Sequence, residues 1–170
     1  MSPQPAFVVN DRVVYPSFGV GRVAAVVSKS FYEAETMLYY EVQGDQSTVW
    51  VSVDEAVARG LRRLTHPDEL AELRGVLRGR PEAMHSDFRQ RQRDVRARLK
   101  PGTLAALCGV VRDLSGLSWP RGLSGYDAEA FRKHTATLAQ EWAAAGSTSV
   151  AEATAEVNGL LGEARLAYRV

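Results

Sequence analysis

The sequence predicts an α+β chain: a small N-terminal β-barrel of SH3 or Tudor type, followed by a compact bundle of about five helices. Two observations carry this. Residues 7–64 alternate short β-branched runs with glycine, proline and polar turns. Beyond residue 64, apolar residues recur at helical spacing between cap and stop signals. A length of 170 residues allows one domain or two small ones, and the change of period sets the boundary near residue 64, giving segments 1–64 and 65–170.

The strands come in order. Arg12–Tyr15 is short and β-rich, with Pro16 and Gly19 after it. Val20–Val27 is a longer apolar run, and the polar Glu33-Ala34-Glu35 turns the chain. Met37–Val42 follows, Gly44-Asp45 forms a tight hairpin turn, and Ser47–Val53 returns. On that return strand Val49, Val51 and Val53 share one face, with Thr48, Trp50 and Ser52 on the other. Trp50 is then either exposed for a partner or covered by the second half of the chain.

The helices begin with Pro67–Leu77, capped by Thr65, with Leu70, Leu73 and Leu77 on one face. Gly79 and Pro81 break it. A helix over about Asp87–Leu99 is next. Thr103 caps Leu104–Leu114, whose apolar face is Leu104, Leu107, Cys108, Val111 and Leu114, and Ser115–Leu123 reads as a loop. Ser124 with Asp127 resembles a capping box for Gly125–Ala145, with Phe131, Leu138 and Trp142 inward and Gly146 as the stop. Ser149 with Glu152 caps a last helix to about Ala167, with Val150, Val157, Leu160, Leu161 and Ala164 inward.

The second of these helices carries the chain's most unusual chemistry. Met84–Lys100 holds six basic residues, Arg89, Arg91, Arg93, Arg96, Arg98 and Lys100, against Asp87 and Asp94. Ser86 can cap its start and Pro101-Gly102 ends it. Phe88, Val95 and Leu99 make a thin apolar seam, while Arg89, Arg93, Arg96 and Lys100 follow at steps of four, three and four as a basic ridge. Such a ridge repels itself unless it is a solvated face or something negative lies against it. Phosphates fit the second case, because each arginine makes charge-assisted bonds to them. The net charge of +1 hides this segregation: from Arg74 to Lys100 nine Lys or Arg meet three carboxylates, while from Glu141 to Glu163 there are four Glu and no base.

Catalytic patterns are missing. His66, His85 and His134 lie in separate elements without metal spacing, and no HExxH, CxxC, GxGxxG or Walker pattern occurs. The GVGRV glycine pair is weak evidence for a phosphate loop. Asp113, Asp127 and Glu129 read as helix-surface and capping residues. Cys108, the single cysteine, falls on an apolar face and reads as a buried small hydrophobe, with no internal disulfide open to it. No cofactor or metal is implied. No apolar run approaches the roughly 20 residues of a membrane helix, and the first residues do not read as a signal peptide, so a cytoplasmic protein without a membrane partner is expected.

Three segments carry a resemblance. Val9–Gly21 reads VNDRVVYPSFGVG and resembles the opening V-G-D-x-V-V-Y-P-x-x-G-V-G of the CarD/CdnL family of bacterial transcription regulators. Val110-Val111-Arg112-Asp113-Leu114, closing the segment from Leu107, resembles that family's A-E-V-V-R-D-L helix, and Arg121-Gly122-Leu123-Ser124 its R-G-L-S. The matches run in order over nearly the whole chain. The resemblance implies a Tudor-like domain over 1–64, similar to the polymerase-interacting domain of transcription-repair coupling factors. Such a domain docks on a lobe of the RNA polymerase β subunit, partly by an edge strand. It implies a helical domain over 65–170 that touches promoter DNA, minor groove and phosphates, at the upstream edge of the transcription bubble and stabilises the open complex.

In such regulators a Trp in W-x-R-R-Y-[RK] wedges into the minor groove. Ungapped alignment puts Phe88 on that Trp, Arg91 and Arg93 on basic positions, Gln90 on an Arg and Gln92 on the Tyr. The implied DNA-binding residues are Phe88, Arg89, Arg91, Arg93 and Arg96. The implied protein-binding residues are Lys29, Thr48, Val49, Trp50, Val51 and Ser52, with Lys29 on a basic position of the polymerase interface. Trp119 has no counterpart and reads as a loop residue packing on the bundle. A second reading keeps the polymerase contact without effective DNA wedging, as a protein adaptor; an enzyme is the third.

Overall fold

The computed structural model describes residues 5–30, 35–123 and 125–169, which form two compact units, Met1–Leu64 and Thr65–Val170. The expected polar turn at Glu33-Ala34 and the expected cap at Ser124 lie outside the described residues.

The first unit is a five-stranded antiparallel sheet: β1 (Arg12–Tyr15), β2 (Gly19–Lys29), β3 (Met37–Gln43), β4 (Thr48–Ser52) and β5 (Arg62–Arg63), in the order β4-β3-β2-β1-β5. The sheet is not closed into the expected barrel: among the described residues β4 and β5 remain edges. The β1–β2 hairpin turns through Ser17 and Gly19, at φ 65° and 100°. Gly21 is needed for close packing, since a Cβ there would lie 2.7 Å from Val42 Cγ1. Both glycines of the GVGRV run therefore have structural duties. Register shifts between Val23 and Ala25, a bulge that lets β2 follow β3 to Lys29↔Met37. Phe7, Val13, Val23, Tyr40, Val42, Val51, Ala56 and Leu61 form the core, and the Phe7 amide donates to the buried Tyr40 hydroxyl.

Among the described residues the second unit holds five α-helices: α1 (Leu70–Arg78), α2 (Phe88–Leu99), α3 (Leu104–Ser118), α4 (Gly125–Gly146) and α5 (Val150–Tyr168). Its start differs from expectation. His66, not Thr65, caps a 3-10 turn over Pro67–Glu69 through a reciprocal box with Glu69, and α1 follows. Thr65 instead gives its hydroxyl to the buried Glu141 at 2.8 Å. Helix α3 runs four residues beyond Leu114, because Gly116 is a packing glycine and not a breaker: a Cβ there would lie 2.5 Å from Pro81 Cβ. Ser147, at φ 54°, follows the end of α4. The Ser149–Glu152 box opens α5 as expected, but Val150 is exposed and Ala153 takes the inward place. Leu138, Trp142, Leu114, Cys108 and Val157 lie at the centre of the helical core.

Candidate functional site

In the first unit the candidate surface is β4. Its outer edge pairs with no strand among the described residues. Two flanking bonds, Gly44 N–H to Ser47 O at 2.9 Å and Val53 N–H to Leu38 O at 3.0 Å, set the phase of the β3–β4 ladder. With Tyr40↔Val51 and Val42↔Val49 in register, Val49 and Val51 turn their amides toward β3, whereas Thr48, Trp50 and Ser52 turn theirs away. The expected group thus divides. Val51 has a buried side chain and an inward amide, and Val49, also with an inward amide, is half-buried against the same core. Trp50 stands 44% exposed on the outer face of the sheet. Lys29 Nζ lies 3.6 Å from the centre of its ring, and Trp50 Nε1 donates to Glu41 Oε2 at 3.4 Å. Lys29 and Trp50, expected as separate contacts, form one cation–π plate.

In the second unit the candidate surface is α2. Asp87, not Ser86, caps it, accepting from the Gln90 amide at 2.9 Å. The helix has two faces with different uses of arginine. Arg89, Arg93, Arg96 and Lys100 are exposed, and among the described residues no carboxylate pairs with them. Arg91, Val95 and Arg98, at helical steps of four and three, face the bundle. Arg91 pairs bidentately with Asp127 of α4 (Nη2–Oδ2 2.5 Å, Nε–Oδ1 3.4 Å), while its Nη1 donates to the His85 and Ser86 carbonyls, both at 2.7 Å. Arg98 reaches Asp113 of α3 at 2.7 Å. Of the expected apolar seam only Val95 and Leu99 pack. Phe88, in the first helical position, is 48% exposed with the Arg89 guanidinium 5.7 Å from its ring centre.

The acidic partners are not evident from the sequence. Asp113 is no surface residue: it is fully buried and accepts from Arg98, from Arg112 Nε and from the Glu82 amide. The available signal is that α3 is apolar around most of its girth, so a carboxylate on it must be buried and paired. Asp127 is half-buried against Arg91, and Glu129 alone keeps the expected surface place, paired with Arg132. Trp119 sits half-buried at the C-terminal cap of α3, lining a small cleft with Pro81 and Tyr168. Between α2 and α4 runs an open groove whose cations are Arg93, Arg96, Lys100 and Lys133. His134 lines it too; burial, then the charge of Lys133, lowers its pKa and favours the neutral imidazole. Burial, then Glu141, pushes the Cys108 thiol up to about 12, which leaves it unreactive. Among the described residues no three His, Cys, Asp or Glu are placed to hold a metal ion, and no helix is long and apolar enough to cross a membrane.

An open sheet edge beside an exposed aromatic–cation plate, and a helix with one basic face and an exposed aromatic at its head, define a protein built for macromolecular contacts. Residues 7–65 match the model of the CarD-like/TRCF RID domain, and residues 72–158 match the CarD C-terminal domain. The chain belongs to the CarD family, as a transcription factor that interacts with RNA polymerase.

Proposed function

We propose that this protein uses the β4 edge to bind a lobe of the RNA polymerase β subunit and the head of α2 to engage promoter DNA at the upstream edge of the transcription bubble, stabilising the open complex. It acts without chemistry of its own, in the cytoplasm, associated with the nucleoid through polymerase. The observation that carries the DNA half is the exposure of Phe88 at the start of a helix whose outer face is exposed cation. An apolar plate fills the gap at a partly unstacked step, and Arg89, Arg93 and Arg96 hold phosphates beside it. For the polymerase half, main-chain bonds from Thr48, Trp50 and Ser52 add a strand pairing, and the Lys29–Trp50 plate supplies side-chain selectivity.

The test is capture of the isolated β lobe by three full-length variants. Trp50→Ala removes the plate, Trp50→Pro also removes an outward amide at an edge that tolerates proline, and Val51→Pro breaks the protein's own ladder. Binding should fall in the first and further in the second; the third should lose its fold. Equal capture by folded wild type and Trp50→Pro would reject edge pairing.

A further inference from the structure

We propose that Arg91 and Asp127 are positioning residues: a clamp that holds Phe88 outside the helical unit at a fixed orientation, with Arg91 not acting as a phosphate ligand. The inference rests on the reading of Phe88 as a DNA wedge and names what aims it.

Phe88 opens α2, and residues 79–87 before it form neither helix nor strand. The single buried residue of α2 is Val95, seven positions on and about 10 Å along the axis. Apolar packing there cannot fix the first turn. Arg91 lies within that turn, and its side chain is only 12% exposed, with Asp127 at 15%. Four of the five guanidinium donors are spent inside the protein, two on Asp127 and two on the carbonyls of His85 and Ser86. One planar group therefore ties the approach segment and the first turn of α2 to α4. The segment closes on itself as well: the Asp87 amide donates to His85 Nδ1 at 3.0 Å and the Asp87 carboxylate caps the helix. With the spent donors facing inward, little of Arg91 remains for phosphate. A lysine has no fork to span the carboxylate and both carbonyls.

Asp127→Asn gives a test in which the two roles differ in sign. Removing a carboxylate from a DNA-facing unit strengthens DNA binding if charge alone matters. If the clamp aims Phe88, Asp127→Asn instead shortens the life of promoter complexes. Arg91→Ala shortens it equally, and the double variant is no worse than either single one. The slope of log K against log salt stays at the wild-type value in Arg91→Ala. In the free protein, fluorine-labelled phenylalanine gives a Phe88 resonance, assigned with Phe88→Leu, that shifts from its wild-type position in Asp127→Asn and Arg91→Lys but not in Arg96→Ala. The proposal is overturned if Arg91→Ala lowers the salt slope by about 0.9 while Asp127→Asn binds DNA more tightly, or if the Phe88 resonance ignores both clamp variants. Failure of the wedge itself is a separate result, in which Phe88→Ala leaves complex lifetime unchanged; the resonance measurement then still decides whether the clamp exists.

Discussion

Helices α2 and α3 touch each other and are held by opposite means. Helix α3 buries nine residues, among them Leu104, Leu107, Val110, Val111 and Leu114, and each large apolar side chain withdrawn from water contributes roughly 1.5–3 kcal/mol. Helix α2 buries one, Val95. Its attachment is instead ionic: Arg91 to Asp127 near its head and Arg98 to Asp113 near its tail. Beside the small apolar contact of Val95 and Leu99, anchoring at two charged points leaves the outer faces of the helix free of packing duties. That is how twelve residues carry an exposed basic ridge and an exposed aromatic while remaining ordered. The difference also means that α3 answers to volume and α2 to charge.

The largest expected effect tests the ionic anchor. Asp113→Ala strands Arg98, Arg112 and the Glu82 amide around a buried void, and should cost about 3–5 kcal/mol in urea unfolding. A cost under about 1 kcal/mol would mean that α2 is held by apolar packing after all. On α3, Leu114→Ala should cost about 2–5 kcal/mol through its cavity, with no added salt dependence of stability. A smaller effect is expected with pH. Burial works to raise the Glu156 carboxyl, but hydrogen bonds from Arg74 and Trp142 and the Arg74 charge hold it below the ordinary carboxylate range. His134 is likewise lowered, by burial and then Lys133. In both cases the unfolded chain binds the proton more readily. The stabilisation is present above the unfolded pKa and is lost as pH falls, from about 6.5 for the imidazole and through the carboxylate range for Glu156. Melting temperature should decline over that interval, less steeply in Glu156→Gln. On the free face of α2, Arg89→Ala and Arg93→Ala should each release one phosphate and lower the duplex-DNA salt slope by about 0.9; an unchanged slope in the double variant marks a solvated face.

Much of this is legible in the sequence, and the failures share a cause. Alternation along Thr48–Val53 assigns the faces of β4 correctly, because a period of two follows from the backbone. The amphipathic patterns of α1 and α4 likewise find Leu70, Leu73, Leu77, Leu138 and Trp142. Capping at Thr103 and Ser149 is readable because it depends on side chains within four residues. What cannot be read is long-range. Asp113 looks like any helix carboxylate until Arg98 and the Glu82 amide arrive, and Arg91 looks like its neighbours until Asp127 does. Hydrogen-bond phase is equally hidden: Val51 sits in the edge strand, yet only the register with Tyr40 shows that its amide points inward. The expected closure of the barrel fails for the same reason, since pairing between edge strands leaves no local mark.

The most direct measurement is the decay of promoter complexes after heparin challenge, with Phe88→Ala and Phe88→Trp compared with wild type alongside their melting temperatures. An exposed wedge should cost little stability when truncated, within about 1 kcal/mol, while Phe88→Ala shortens the lifetime and Phe88→Trp, with its larger plate, lengthens it. A loss of roughly 3–5 kcal/mol in Phe88→Ala, as for a buried phenylalanine, with decay rates unchanged in both variants, would contradict the wedge and leave a polymerase-binding adaptor.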